Sequence, residues 1–139
     1  YDLPIGLGSY VEYNRRLDGM LAQAIMSIPA IKGIEIGNAY KLSQKKGDSS
    51  DKILFETNKG FYRTSNFAGG LEGGMTNGQP LIIRFYMKPL PANPNIESVD
   101  LKTKKAVKPD FYRSDTQALT AAAVIVESIT AITLASSLL

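Results

Sequence analysis

The sequence predicts an α+β fold in which helices pack on antiparallel strands. Apolar residues recur at helical spacing in residues 16–28, and residues 116–139 form a long apolar segment that also predicts a helix. Between these two segments, short strand-like stretches alternate with turn residues. The chain has 139 residues, of which 44% are apolar, so it has the length of one domain and can bury a sizeable core.

The first half of the chain predicts a helix and two strands. Residues 1–10 are punctuated by glycine and proline, and we expect a loop that leads into a short strand. The helix over residues 16–28 ends at Pro29. Residues 31–36 alternate and predict a strand, whereas the lysine-rich residues 37–51 predict a surface loop with a helical turn.

The second half predicts further strands. Residues 52–57 suit a strand that ends in a turn at residues 58–60, and residues 64–78 are predicted to be a glycine-rich loop. Residues 81–87 give the clearest strand pattern. We expect residues 96–101 to pair with residues 106–109 across a lysine-rich turn, and we find no internal repeat or domain linker.

The C-terminal apolar segment, residues 116–139, is long enough to span a bilayer, and Glu127 is its only charge. Many of its positions are Ala, Ser or Thr, and basic or aromatic anchors are missing at its C-terminal end. We therefore expect a helix that is buried in a core or an oligomer interface and does not cross a membrane.

Composition excludes several kinds of chemistry. The chain has no cysteine, and so no disulfide framework and no thiolate metal site. It also has no histidine, so acid–base chemistry within it must fall to carboxylate, lysine or tyrosine. A net charge of +3 does not by itself indicate a nucleic-acid module. No signal peptide is visible, and the two ends, Tyr1 and an apolar run, suggest a piece of a longer polypeptide.

The glycine-rich loop and the cations after it suggest a site for a phosphate-bearing ligand. Five glycines fall within residues 69–78 and would let backbone approach a ligand closely. Arg84, Lys88 and Arg113 would supply positive charge, and the last helix would add its N-terminus. The loop matches neither a Walker loop nor a dinucleotide fingerprint. A flexible surface loop, a solvated strand end at Lys88 and a solvated lysine-rich turn at residues 102–108 remain alternatives.

One carboxylate lies beside these cations. Ser114 and Gln117 fit a capping box, with Ser114 as the N-cap of the last helix and Asp115 as its first residue. The helix dipole and Arg113 would keep Asp115 ionised, so that it could accept a proton. The alternative is that Asp115 only complements the dipole.

The combination of these features resembles chorismate synthase. The resemblance runs in order over nearly the whole chain and corresponds to the C-terminal part of that enzyme. It rests on the following segments: Gly6-Leu7-Gly8-Ser9, Leu17-Asp18, Ala22 to Ile28, Lys32-Gly33-Ile34-Glu35, Glu72 to Gly78, Arg84, Lys88-Pro89, Arg113-Ser114-Asp115 and Glu127-Ser128.

The resemblance implies a β-α-β sandwich, with helices between antiparallel sheets, of which this chain is a partial copy. It implies a cytoplasmic homotetramer that converts 5-enolpyruvylshikimate 3-phosphate to chorismate and phosphate in the shikimate pathway. The reaction is an anti-1,4-elimination that needs reduced FMN without net redox change. Residues 1–139 would be the C-terminal part of that domain, with no nucleic-acid, membrane or metal partner.

The resemblance also implies roles for individual residues. Asp115 matches the aspartate credited with proton abstraction, and Arg113 matches a position that meets both flavin and substrate. The family usually has Asn where this chain has Pro29 and often Thr where it has Ala92, so a side-chain hydrogen bond at either place would be lost. The implied FMN contacts are Pro29, Ala30, Gly73, Lys88, Pro89, Leu90, Pro91, Ala92 and Arg113.

Parts of the family pattern are missing from this chain, namely two functional histidines, a Gly-Glu-Ser-His-Gly motif and N-terminal arginines for the substrate. Three interpretations therefore stand: the C-terminal portion of an FMN-dependent chorismate synthase, a non-catalytic oligomerisation core of that enzyme, or an unrelated anion-binding module such as one for RNA.

Overall fold

The computed structural model of the chain describes residues 3–47, 51–89, 96–108 and 117–139. A short 3-10 helix at Tyr13–Arg15 leads into the first α-helix. In chain order the elements are α1 (Leu17–Met26), β1 (Ile31–Ile36), α2 (Ala39–Ser43), β2 (Ile53–Glu56), β3 (Gly60–Arg63), β4 (Leu71–Glu72), β5 (Met75–Thr76), β6 (Ile83–Met87), β7 (Ser98–Val99), β8 (Ala106–Val107) and α3 (Leu119–Leu138).

The strands form four antiparallel pairs within the described residues. Three pairs are local hairpins, β2–β3, β4–β5 and β7–β8. The fourth, β1–β6, joins distant parts of the chain, with Glu35 opposite Arg84 and Ile31 opposite Met87. Helices α1 and α3 pack together, and α1 also packs on β1, so the predicted α+β arrangement of helices on antiparallel strands is confirmed.

Helix α1 forms the centre of the core. Leu17, Leu21 and Ile25 recur at four-residue spacing and are completely buried, because this spacing places them on one face of the helix. Leu17 and Leu21 pack with Leu7 and with Leu71 of β4, whereas Ile25 packs with β1 and α3. One helical face thus holds the β1–β6 pair and α3 in fixed positions.

Helix α3 is buried along one stripe only. Ala122, Val126 and Thr133 are buried, but Val124 and Ile132 are more than half exposed. The expected burial of this helix is therefore seen on one face within the described residues. Its 20 residues have a mean hydropathy of 1.7, which is enough by length and composition to cross a membrane, and one such helix is weak evidence for a span.

Several predicted elements are confirmed with small shifts of their ends. Strand β1 has the predicted bounds, and α1 ends at Met26, just before the predicted stop. Strand β2 lies within residues 52–57, and β6 lies within residues 81–87. Pairing of β7 with β8 and the helical turn at α2 were also predicted.

The prediction for residues 64–78 was wrong in part, because they contain the β4–β5 hairpin and are not all loop. Strand β3 was not predicted either. Both hairpins turn through residues with a positive φ, Gly60 and Gly73, and such short strands leave too few residues for a period-2 pattern to be visible.

The start of the last helix also differs from the prediction. Gln117 and Ala118 precede the helix, so α3 begins later than the predicted residue 116, and Ser114 and Asp115 of the proposed capping box lie outside the described residues. The first intrahelical bond runs from the Ala122 N–H to the Ala118 carbonyl (2.9 Å), and Ala122 is the first buried residue of α3. The N-cap residue Ala118 forms no side-chain hydrogen bond to the helix, so α3 begins without a side-chain cap.

Candidate functional site

The antiparallel register of β1 with β6 brings four of the predicted flavin contacts together. Because Ile31 lies opposite Met87, the residues before β1 meet the residues after β6. The Lys88 N–H donates a hydrogen bond to the Ala30 carbonyl (2.9 Å). One end of the β1–β6 pair therefore brings together Pro29, Ala30, Lys88 and Pro89, although the two pairs of residues are far apart in the sequence.

The side chains at this junction leave a cation free for a ligand. Lys88 and Pro29 are exposed, and Lys88 forms no ion pair with any carboxylate in the described part of the chain. Ala30 is half-buried and adopts a φ of 70°, in the left-handed region that a non-glycine residue seldom enters. An exposed ammonium beside backbone in an unusual conformation is suited to holding a phosphate group.

Gly73 is the loop glycine with an open backbone. It lies at the turn of the β4–β5 hairpin, is exposed, and has nothing within 4 Å of the position that a Cβ would occupy. By contrast, a Cβ on Gly74 would lie 2.7 Å from the Ser9 carbonyl oxygen. The other loop glycines, Gly69, Gly70 and Gly78, likewise face neighbouring atoms of the protein within 3 Å.

The prediction that five glycines open the backbone to a ligand is therefore wrong for four of them. Those four let segments of this chain pack closely against each other. Gly73 alone in this loop keeps the open approach that a planar ligand would need.

Helix α1 separates Gly73 from the junction at Ala30 and Lys88. The Gly74 carbonyl accepts a hydrogen bond from the Leu17 N–H (2.8 Å) at the first residue of α1. The junction lies beyond the other end of the helix, where Ile28 accepts from the Ile31 N–H (3.2 Å). Ten helical residues rise about 15 Å, so the described residues do not bring Gly73 next to Lys88.

Arg84 has a structural contact that was not predicted. Its guanidinium donates a hydrogen bond to the Gly37 carbonyl and so holds the turn after β1, and Glu35 faces it across the β1–β6 pair. Because a hydrogen bond to a neutral carbonyl leaves the guanidinium charged, a phosphate-binding role for Arg84 stays a prediction. The Tyr86 hydroxyl donates to Glu35 (2.7 Å), and this hydrogen bond, with a second from the Tyr40 N–H, lowers the pKa of Glu35.

Asp51 is a structural carboxylate that the sequence did not single out. It accepts hydrogen bonds from the Phe67 and Ala68 N–H groups (2.9 Å each) and from the Ser65 hydroxyl. Partial burial alone would raise the pKa of Asp51, but these three hydrogen bonds outweigh burial and lower it. No local signal could have identified it, because its partners lie 14 to 17 residues further along the chain.

The remaining predicted site residues lie outside the described part of the chain. These are the catalytic candidate Asp115, the flavin and substrate candidate Arg113, and the flavin candidates Leu90, Pro91 and Ala92. The described residues therefore offer a free cation beside the exposed Pro29 at the junction and exposed backbone at Gly73 beyond the other end of α1, whereas Asp51 holds the loop of residues 65–68.

Comparison with known proteins gives a consistent result over the whole chain. The family model described as chorismate synthase matches residues 1–139. A chorismate synthase of Sulfurihydrogenibium sp. (strain YO3AOP1) is 49% identical over 142 residues, covering 99% of this chain and 36% of that protein. One of Staphylococcus aureus is 45% identical over 140 residues with the same coverage.

A solved structure is also similar. A crystal structure of a chorismate synthase superposes with a TM-score of 0.76 at 40% sequence identity, covering 99% of this chain and 34% of that one. The chain thus spans about a third of the length of the relatives that it matches.

Proposed function

Because the chain belongs to the chorismate synthase family, we propose that it supplies the flavin-binding side of a chorismate synthase. The full-length protein would convert 5-enolpyruvylshikimate 3-phosphate to chorismate and phosphate. The activity is proposed for the full-length protein because the chain spans about a third of its relatives.

The proposed reaction is a 1,4-elimination with no net oxidation or reduction. A proton leaves carbon 6 of the substrate ring, the phosphate leaves carbon 3 with its bonding electron pair, and a second ring double bond forms. Reduced FMN, when bound, would supply electron density to the ring as the phosphate departs. The protein must then stabilise negative charge on the departing phosphate and accept one proton.

The junction of β1 and β6 supports the binding part of this proposal. Lys88 presents an exposed ammonium whose charge no described carboxylate neutralises, which fits a phosphate group of the flavin or of the substrate. Pro29, Ala30 and Pro89 would provide backbone and apolar contacts around it. Leu90, Pro91 and Ala92 would extend these contacts along the chain.

Gly73 supports the same assignment from the other end of α1. Its backbone is exposed and unobstructed, so a planar ring could approach it without displacing a side chain. A ligand that touched both Gly73 and Lys88 within one chain would have to extend over about 15 Å. Contact at the two positions by different subunits of a homotetramer would remove that requirement.

Arg113 and Asp115 carry the chemical part of the proposal. Arg113 would bind both flavin and substrate, since its planar guanidinium can hold an oxyanion through two parallel hydrogen bonds. Asp115 would accept the proton. The chain has no histidine, so the remaining acid–base groups would come from the rest of the full-length protein.

The observation that carries the proposal is the family match over all 139 residues at up to 49% identity. The donor set at the junction, a free cation beside exposed backbone, fits an anionic flavin.

An RNA-binding function has weaker support, because the exposed lysines of the β7–β8 turn have no described aromatic residue among them. We also propose a cytoplasmic location.

Flavin titration of the full-length protein tests the proposal. We expect FMN fluorescence to change on binding, and the dissociation constant to be smaller for reduced than for oxidised FMN. A matched titration with riboflavin, which lacks the phosphate, should show weaker binding if Lys88 holds that group. Absence of any flavin signal at saturating concentration would overturn the assignment.

A further inference from the structure

We propose that Ala30 is a positioning residue for Lys88: the left-handed backbone of Ala30 directs its carbonyl to the Lys88 N–H and thereby fixes the direction of the Lys88 side chain. This inference rests on the proposed function, because it is the flavin site that Lys88 would serve. It extends the proposed function by explaining how the Lys88 side chain is held in position.

The backbone of Ala30 is unusual for its residue type. Among the described residues, two that are not glycine have a positive φ, Ala30 (70°) and Lys104 (57°). Lys104 lies at the turn between β7 and β8, where a positive φ commonly closes a hairpin. Ala30 lies at the third position of a turn that the Ile31 N–H closes by donating to the Ile28 carbonyl (3.2 Å), with Pro29 at the second position. A type II turn requires a positive φ at that third position, where glycine is usual, so this turn fixes the direction of the Ala30 carbonyl.

The Ala30 carbonyl takes part in the last hydrogen bond available to the β1–β6 pair at this end. The Ala30 carbonyl accepts from the Lys88 N–H at 2.9 Å, one residue beyond the pairing of Ile31 with Met87. The next residue, Pro89, has no N–H and cannot extend the ladder. Without the Ala30 carbonyl, Lys88 would have no backbone partner at the strand end.

The same hydrogen bond decides on which side of the sheet Lys88 lies. Along β6, Phe85 is half-buried against the core and Met87 is half-buried, whereas Arg84 and Tyr86 are exposed. Lys88 continues this alternation and is exposed. Because strand geometry is maintained only as far as pairing extends, the Ala30 carbonyl keeps the Lys88 ammonium on the open face.

Three substitutions in the full-length protein separate this role from general stability. Ala30→Val introduces a β-branched side chain that resists a positive φ, whereas Ala30→Gly adopts it without strain. Lys104→Val places the same side chain at the other positive-φ position and is the matched control. If Ala30→Val does not fold, Ala30→Leu replaces it with the same expected results.

The first measurement is amide hydrogen exchange of Lys88, which does not depend on flavin. We expect Ala30→Val to exchange at least tenfold faster at Lys88 and Ala30→Gly to remain within about threefold of wild type. Lys104→Val should leave the Lys88 amide unchanged. Unchanged protection in Ala30→Val would overturn the inference.

The second measurement is a double-mutant cycle on the dissociation constant of reduced FMN. We expect Ala30→Val to weaken binding about tenfold in the wild-type background and to have no further effect in a Lys88→Met background. Ala30→Gly should bind nearly as wild type.

Equal losses in both backgrounds would mean that Ala30 acts independently of Lys88, which would overturn the inference while leaving the proposed function intact. Failure of the wild-type protein to bind FMN would instead overturn the proposed function, and with it any role of Ala30 at a flavin site.

Discussion

Single carboxylates in this chain serve two different purposes, holding the fold and, as proposed, accepting a proton. Asp51 belongs to the first kind, because its oxygens accept hydrogen bonds from Ser65, Phe67 and Ala68. These bonds fix the residues directly before the buried Gly69–Gly70 pair, and so determine how the β4–β5 hairpin is placed. Asp115 belongs to the second kind, and its role is deduced from the family alone.

The first prediction concerns the pH dependence of Asp51. Because its folded-state pKa is lower than its ordinary value of about 3.9, its contribution to stability is present above that value and is lost as pH falls through the folded pKa. Asp51→Asn should therefore destabilise the full-length protein by about 1–2 kcal/mol at pH 7, and the difference should shrink below about pH 4. Urea unfolding at pH 7 and pH 3 measures this, with exposed Glu97→Gln as the control. A difference that grows at low pH would contradict the account.

The second prediction concerns Asp115. Asp115→Asn keeps the shape of the side chain but cannot accept a proton, so turnover of the full-length protein should fall roughly 10²–10⁴-fold. Affinity for reduced FMN should be nearly unchanged, and Glu127→Gln on α3 should leave both quantities as in wild type. If the Asp115→Asn protein keeps a near wild-type rate with 5-enolpyruvylshikimate 3-phosphate, another residue is the base.

At the scale of elements, the β4–β5 hairpin is held by the segment of residues 4–8. Thr76 on β5 is buried, its N–H donates to the Leu7 carbonyl (3.0 Å), and its carbonyl accepts from the Gly6 N–H (2.9 Å). The Thr76 hydroxyl also accepts from the Leu7 N–H (2.8 Å) and donates to the Pro4 carbonyl. A two-residue strand is too short to be stable alone, so this added segment keeps Gly73 in position.

The third prediction tests that hydroxyl. Thr76→Val has nearly the same shape but leaves the Leu7 N–H and the Pro4 carbonyl without their partner, at a cost of about 1–3 kcal/mol. Thr76→Ser keeps the hydroxyl and loses one methyl group, which costs about 0.8 kcal/mol. Urea unfolding of the full-length protein compares the two. If Thr76→Ser is the more destabilised variant, packing and not hydrogen bonding holds the hairpin.

Elements with a clear periodic pattern could be predicted from the sequence, and those defined by distant partners could not. The four-residue spacing of Leu17, Leu21 and Ile25 identified α1 because burial follows that spacing. Strands β4 and β5 could not be recognised within the glycine-rich loop, because a two-residue strand is too short to show an alternating pattern. The start of α3 at Leu119 was not predicted, because its N-cap residue Ala118 carries none of the side chains that mark a helix start in a sequence.

In the candidate site too, local features could be predicted from the sequence and contacts with distant residues could not. Lys88 was identified as a possible phosphate ligand from its place at a strand end, and the structure leaves it free of described carboxylates. The sequence suggested Arg84 as a phosphate ligand as well, but it did not predict the hydrogen bond from the Arg84 guanidinium to the Gly37 carbonyl. That hydrogen bond depends on the β1–β6 register, which pairs residues about fifty positions apart and which no local pattern reveals.

At the scale of the whole molecule, the described residues leave large apolar surfaces uncovered. Helix α3 exposes Val124, Ile125 and Ile132, and an open groove of about 410 Å³ separates it from β6. Strands β1 and β6 have no further partners among the described residues. Exposed apolar surface of this kind is typical of faces that pack against further protein.

One measurement tests the central claim that this chain supplies part, and only part, of a chorismate synthase active site. Anaerobic phosphate release from 5-enolpyruvylshikimate 3-phosphate, with dithionite-reduced FMN, is compared for the full-length protein and for residues 1–139 whose folding is checked by circular dichroism. The account predicts turnover by the full-length protein and none by residues 1–139. Turnover by residues 1–139 alone, or no turnover by the full-length protein, would contradict it.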